Sequence, residues 1–241
     1  MGTSQAYEAP TTPQWGDLKT QVTRAASEGR PDHDLARDIV TNYIWTSRDS
    51  GNQTAHGSGG NKSAAIVAKN VAAFFSLVEQ NGLREALKQT GLEFLQGRSG
   101  TEIILTLLDY LGGSSSTIND VDARNALAAV LDDICNAAED YDDIETLLEE
   151  QANEEMLNVV LYKFFARYIF EQFCRIFYER LEIRVGEANA EAFLDGIRDY
   201  INSRVDDVSS HQDLDTIEWN GEEGLSITSE ILEDTLEVFG G

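Results

Sequence analysis

The residue with the clearest chemical potential is Gly2, the second residue of the chain. A small residue after Met1 permits removal of the initiator methionine, which would leave Gly2 with a free α-amine. Such an amine has a pKa of about 8, so part of it is neutral and nucleophilic near pH 7. Residues 1–16 lack periodicity and contain two prolines, which predicts a flexible tail that can enter another protein's pocket. A disordered tail without function stays open as the alternative. N-myristoylation is disfavoured, because Ala6 stands where that motif requires Ser or Thr.

A second candidate set is a line of charged residues within the otherwise apolar, aromatic stretch 156–181. The line recurs every four residues, so it follows one edge of a helix: it consists of Lys163, Arg167, Glu171, Arg175 and Glu179. Neighbours in this line can form ion pairs along the helix, each worth about 0.2–0.5 kcal/mol. So many charges argue against a membrane span, since each costs about 2.5–3.5 kcal/mol at the bilayer centre. We expect the line to reach the surface or a partner, with Lys163, Arg167, Glu171 and Arg175 as possible partner-facing residues.

Signatures of catalysis and of metal binding are missing from the sequence. The three histidines, at positions 33, 56 and 211, have no second His or Cys at zinc-ligand spacing. The glycine-rich run 56–60 does not meet the spacing of a phosphate-binding loop, and no strand precedes it. Cys135 and Cys174 lie on apolar helical faces, which favours buried free thiols over a disulfide. We therefore predict a protein that is not an enzyme, with no cofactor and no metal.

The charge balance is strongly acidic, with 43 acidic and 18 basic residues and a net charge of −25. Residues 182–241 alone carry about half of this excess. Such a chain repels phosphate backbones, so direct binding of nucleic acid is not expected. The excess of acidic residues and the shortage of Lys suggest a salt-rich cytoplasm, although an ordinary solvated acidic tail explains the charge equally well. We expect a cytoplasmic protein without a membrane segment, because no signal-peptide pattern opens the sequence.

Apolar periodicity predicts an all-α fold, a multi-helix globular domain around the long aromatic central helix, with a flexible N-terminal tail and an acidic C-terminal region. Asp17 is a plausible N-cap for the first helix, Gly82 a stop for the third, and Ser99 a cap for a later one. The expected division is a flexible tail at 1–16, a helical pair at 17–47, a Gly-rich linker at 48–61, a helical core domain at 62–208 and an acidic C-terminal extension at 209–241, which holds a last helix at 229–238.

Three pieces of the sequence together resemble the QatB family, a component of the Qat anti-phage defence system. They are the start MGTS, the run GSGG at 57–60, and GLEFLQGRSGTEIILTLLDYLGGSSSTINDVDARNALAAVLDDI at 91–134. The resemblance implies three partners, namely a QueC-like enzyme, a P-loop ATPase and a TatD-like nuclease. It also implies that the QueC-like enzyme activates a 7-deazaguanine carboxylate with ATP and joins the base to an N-terminal glycine. In this chain the acceptor would be Gly2, with Thr3 and Ser4 as recognition positions.

The leading interpretation is therefore a non-catalytic scaffold that is also the substrate of a modifying partner. Two other hypotheses stay open on the sequence. One is a helical adaptor or regulator with an inert tail. The other is an acidic mimic of nucleic acid that occupies a basic site on a partner, which predicts binding that weakens as salt rises. An undetected enzyme is disfavoured because no catalytic set can be assembled from the residues.

Overall fold

The computed structural model describes residues 12–49, 58–113, 116–135 and 138–206, together with the single residues 222, 235 and 237. Within these ranges the regular structure is helical throughout, which confirms the all-α fold class. The elements, in chain order, are α1 (Pro13–Ser27), α2 (His33–Asp49), α3 (Ser58–Gln89), a 3₁₀ turn (Glu93–Leu95), α4 (Gly100–Gly112), α5 (Ile118–Cys135), α6 (Tyr141–Gln151), α7 (Glu154–Val185) and α8 (Glu187–Asp206).

Helix α7 is the element on which the others pack. Because its apolar residues fall on nearly every side, it has to be covered by other helices in order to leave water. Helices α8, α5, α1 and α3 lie against it. Its largest fully buried side chains are aromatic: Phe164, Phe165, Tyr168, Phe173 and Phe177. The predicted aromatic helix at 156–181 is thus confirmed as the centre of the fold, and α7 extends a few residues beyond it at each end.

Local side-chain caps explain where several helices begin. The Asn153 side chain accepts a hydrogen bond of 3.1 Å from the backbone N–H of Met156 at the start of α7. At the start of α4, Ser99 and Glu102 form a reciprocal capping box, as the predicted cap at Ser99 requires. Helix α7 ends at Val185 and is capped by Gly186, whose φ of 82° is in the left-handed region that glycine adopts without steric cost.

The first helix begins five residues earlier than the sequence predicted. Its first residue is Pro13 rather than the residue after Asp17, and Thr12 occupies the N-cap position. Proline suits this position, because its fixed φ is helical and its missing N–H would have no partner in the first turn. Residues 13–16, which we assigned to the tail, therefore belong to the folded body, and Trp15 among them is fully buried.

Helix α3 contains a break at the predicted stop. Gly82 has φ 77° and ψ 161°, and a second helical segment follows it up to Gln89. The backbone N–H of Leu83, the first residue of that segment, donates a 2.9 Å hydrogen bond to Oε1 of Glu149 in α6. Helix α3 also begins at Ser58, so residues 58–61 of the predicted linker are helical.

Several predictions concern residues outside the described ranges. Outside these ranges lies most of the predicted linker at 48–61. The same holds for nearly all of the predicted acidic extension at 209–241, including its last helix at 229–238. Within the described ranges, no helix is long and apolar enough to cross a membrane.

Candidate functional site

The predicted modification site lies outside the described residues. Gly2, Thr3 and Ser4 all precede Thr12, where the description of the chain begins. The structure therefore fixes the point from which the N-terminal residues start, rather than the residues themselves. Thr12 has an extended backbone, with φ −64° and ψ 158°, and α1 follows it directly.

Trp15 holds the start of α1 in the core. Its indole has no exposed surface. It makes an edge contact with Tyr43 of α2, with ring centroids 6.2 Å apart, and a tilted contact with Phe177 of α7 at 6.5 Å. Burial of an aromatic side chain this large stabilises the position of the first turn. The N-terminal residues are consequently attached to the body at a fixed position beside α2 and α7.

The predicted charged line on α7 lies largely against α5. Arg167 forms an ion pair with Asp133 at 3.0 Å, and Asn125 donates a 3.3 Å hydrogen bond to Glu171. Arg175 pairs with Asp122 at 2.8 Å. The sequence predicted pairs along α7 and missed these partners, because spacing within one helix does not reveal which neighbouring helix faces it. Lys163 is exposed, and partner contact by these four residues stays a prediction.

The pair between Arg175 and Asp122 is the most buried charged contact of the described residues. The side chains of Arg175 and Asp122 are 15% and 6% exposed. Burial raises the pKa of Asp122 to about 6, although the Arg175 guanidinium acts in the opposite direction. Burial also raises the pKa of Glu171, which lies one turn before Arg175 on α7. Close by, the Gln172 amide donates a 2.8 Å hydrogen bond to the hydroxyl of Tyr168, whose pKa burial raises well above its usual range. This polar cluster between α5 and α7 fixes how the two helices lie against each other.

The two thiols are poorly suited to nucleophilic chemistry. Both cysteines are free, and Cys135 is fully buried while Cys174 is half-buried. Burial, assisted by the nearby Asp132 charge, raises the pKa of Cys135 to about 11. Burial raises the pKa of Cys174 still further. Because the thiolate is the reactive form, both groups are protonated and unreactive at neutral pH.

The described residues offer no cluster of His, Cys, Asp and Glu that could hold a metal ion. Of the three histidines, His33 packs edge-on against Tyr200 with ring centroids 5.0 Å apart. His56 and His211 lie outside the described ranges.

Sequence reasoning missed the exposed apolar side chains of the body. Trp45 on α2 is 58% exposed, and Phe94 and Leu105 are each 56% exposed. Phe94 and Leu105 border a shallow groove of about 340 Å³ between the 3₁₀ turn and α4. The sequence did indicate that Trp45 is exposed, because Trp45 falls outside the apolar face of α2 formed by Ile39, Tyr43 and Ile44.

The fold defines an all-α protein built on one buried helix, and the comparison with known families makes this more specific. Residues 52–239 match the family model described as Qat anti-phage system associated protein QatB. Because the match covers most of the 241 residues, the chain belongs to the QatB family. It is therefore a component of an anti-phage defence system, and partner proteins of that system are implied. No curated protein and no solved structure matches the chain.

The matched range extends the resemblance found in the sequence. It includes the acidic region after residue 182, where the sequence alone resembled the family less clearly. It does not include residues 1–51, which contain Gly2, α1 and α2.

Proposed function

We propose that this chain is a non-catalytic scaffold subunit of the Qat defence system and that its Gly2 amine is the acceptor for a 7-deazaguanine group. Membership of the QatB family is the observation that carries this proposal. The enzyme in the proposal is the QueC-like partner, and a P-loop ATPase and a TatD-like nuclease complete the set of partners. Thr3 and Ser4 would contact the enzyme as it holds the tail.

The proposed reaction forms an amide. The partner converts the carboxylate of the base into an acyl adenylate with ATP and releases pyrophosphate. The neutral Gly2 nitrogen, free once Met1 is removed, then attacks the acyl carbon. A C–N bond forms, the C–O bond to AMP breaks, and the amine proton passes to solvent. An unhindered glycine amine with a pKa of about 8 suits this step.

The position of α1 supports the proposal that the N-terminal residues extend from the folded body to the active site of the enzyme. Ten peptide bonds separate Gly2 from Thr12, so Gly2 lies within about 35 Å of Thr12 even if the connection is fully extended. Trp15 holds the other end of this connection in the core. The active site of an enzyme that acts on Gly2 therefore lies within about 35 Å of the start of α1.

Intact-mass analysis tests the proposed modification. The chain is purified after co-expression with the QueC-like partner and, as a control, without it. We expect a mass increase equal to one 7-deazaguanine acyl group, and fragmentation of the N-terminal peptide should place the group on Gly2. An unmodified Gly2 in the presence of the active partner would contradict the proposal.

A deletion separates this proposal from that of an adaptor with an inert tail. Removal of residues 2–11 leaves α1 intact, because the helix begins at Pro13. In a plaque assay with the complete system, we expect the deletion to abolish defence. Persistence of defence would favour the adaptor, in which the helical body acts by protein contact alone. The deleted protein should keep its melting temperature, which shows that any loss comes from the tail.

A further inference from the structure

Helices α5 and α7 share a continuous outer surface. The two helices run in opposite directions, because their ion pairs are reversed in order along the chain. Arg167 pairs with Asp133, whereas Arg175, two turns later on α7, pairs with Asp122, three turns earlier on α5. The residues of the two helices that lie level with each other can therefore be counted from any one contact between them.

Three exposed apolar side chains come together on this surface. The 3.3 Å hydrogen bond between Asn125 and Glu171 joins the outer faces of the two helices. Ile118 lies two turns before Asn125, and Tyr178 lies two turns after Glu171, so the antiparallel arrangement brings Ile118 and Tyr178 level on the same face. Val121 is on the next turn of α5 after Ile118. We call these three residues, which are 40–44% exposed, the Tyr178 patch.

Acidic side chains border the Tyr178 patch. The Glu182 carboxylate, one turn later on α7, raises the pKa of the Tyr178 hydroxyl, and Glu187 and Glu191 at the start of α8 act in the same direction. All three carboxylates are exposed. Ile183 is more exposed than Tyr178 but lies about 140° further around α7, on another face. The patch is therefore an apolar surface with negative charge on its α8 side.

The groove at Phe94 differs from the Tyr178 patch in both charge and position. Its border is balanced, because Arg98 and Glu102 form an ion pair there at 3.7 Å. The groove lies near the C-terminal end of α5, since the backbone N–H of Gly100 donates a hydrogen bond to the carbonyl oxygen of Glu139. The Tyr178 patch is at the opposite end of α5, which is about 25 Å long.

The charged border restricts what can cover the Tyr178 patch. Nucleic acid and an anionic membrane surface are repelled by carboxylates. A second copy of this chain in a two-fold contact would bring two sets of these carboxylates together, in addition to the repulsion between chains that each carry a net charge of −25. A protein surface that carries Lys or Arg around an apolar side chain is instead attracted.

We propose that the Tyr178 patch is the surface on which another protein of the Qat system docks, through an apolar side chain flanked by Lys or Arg, an inference that rests on the proposed scaffold role. The apolar side chain packs against the Tyr178 ring and the two aliphatic residues of α5. The basic groups pair with the three carboxylates on the α8 side. Tyrosine suits the centre of such a contact, because it buries a large area at a small cost in conformational entropy. Docking does not involve Gly2, since the patch belongs to the helical body.

Biolayer interferometry tests the docking surface, with the full chain immobilised and each of the other Qat proteins, purified separately, as analyte. Tyr178→Ala should raise the Kd of the docking protein about ten- to thirty-fold, whereas Tyr178→Phe, which keeps the ring, should stay within about three-fold of the wild type. The double variant Glu187→Gln/Glu191→Gln should raise the Kd about three- to ten-fold at low salt and reduce its dependence on salt. Phe94→Ala is the matched control, an exposed aromatic residue outside the patch, and should bind as the wild type does.

The outcomes separate this inference from the proposed function. An equal Kd for the wild type and Tyr178→Ala would overturn the docking surface alone, with the scaffold role intact. An equal rise in Kd for Phe94→Ala would also overturn it, because the effect would not be local to the patch. Self-association that Tyr178→Ala weakens, measured by sedimentation velocity, would assign the patch to a second copy and overturn the basic partner. If no Qat protein binds the wild type, the scaffold role fails and the docking surface fails with it. Far-UV circular dichroism and melting temperatures verify that each variant is folded.

Discussion

Replacement of Asp122 by Asn tests the buried pair between α5 and α7. Asp122 pairs with Arg175 at 2.8 Å, and its side chain is only 6% exposed to solvent. The other ionisable groups that act on its carboxyl are Arg175 and Glu171 of α7, with the first favouring the charged form and the second opposing it. Asparagine keeps the shape of the side chain and removes its titration. The variant therefore isolates the free energy of holding a carboxylate at this position.

The sign of the expected effect follows from the two pKa values of Asp122. The carboxyl titrates near 3.8 in the unfolded chain and at about 6 in the folded protein. Below pH 4 it is largely protonated in both states. As the pH rises from 4 to 6, the folded state binds more protons than the unfolded state, so the free energy of unfolding decreases. Above pH 6 the full cost of the buried charge is present. A gap of about two pH units corresponds to about 3 kcal/mol.

Urea unfolding of both proteins between pH 4 and pH 7 measures this effect. We expect the free energy of unfolding of Asp122→Asn, relative to the wild type, to increase by about 2–3 kcal/mol over this range. The acidic groups that do not interact with Asp122 titrate in the same way in both proteins, so their contributions cancel in the difference, whereas the repulsion between Glu171 and Asp122 is part of the measured effect. Asp133→Asn is the control: Asp133 pairs with Arg167 but is half exposed, and exposed pairs contribute less than about 1 kcal/mol. Parallel stability curves for the wild type and Asp122→Asn would refute the reasoning.

Three further predictions concern packing. Trp15→Ala should lower the free energy of unfolding by about 3–5 kcal/mol, measured by urea unfolding; a loss below about 1 kcal/mol would contradict its role as the anchor of α1. Gly100→Ala should destabilise the protein by about 1–3 kcal/mol, because a Cβ there would lie 2.6 Å from the carbonyl oxygen of Ala138. Gly16→Ala should instead stabilise the protein by about 0.5–1 kcal/mol, because a Cβ there would have nothing within 4 Å. Equal changes in the melting temperatures of the two variants would contradict this prediction. Cys135 should react with iodoacetamide only after unfolding, because its thiol is buried and its pKa is about 11; fast labelling of the native protein would argue against that burial.

The sequence predicted the parts of the fold that depend on one segment at a time. The aromatic composition of 156–181 marked the buried helix, Gly82 marked a break, and Ser99 marked a cap, since each signal is contained in a few neighbouring residues. The start of α1 was missed because proline punctuates loops and also begins helices. Only the contact of Trp15 with Tyr43 and Phe177 decides between these two meanings, and that contact joins distant parts of the chain.

The polar contacts between α5 and α7 show the same limit of sequence-based prediction. The spacing of Arg167, Glu171 and Arg175 predicted that they share one edge of a helix, which is correct. Their partners on α5 depend on how two helices pack, and no pattern within one helix contains that information. The burial of Asp122 was likewise unpredictable, since an aspartate on an otherwise acidic helix is usually solvated. The role of Gly2 stays a prediction, drawn from its position and from the resemblance to the QatB family.

The break in α3 has a consequence for biosynthesis. The backbone N–H of Leu83, at the start of the second segment, donates its capping hydrogen bond to Glu149, which is 66 residues later in the chain. While the ribosome is still adding those residues, the N-terminal half of α3 can wind but the segment after Gly82 lacks its cap. Final docking of that segment therefore awaits the emergence of α6 from the ribosome.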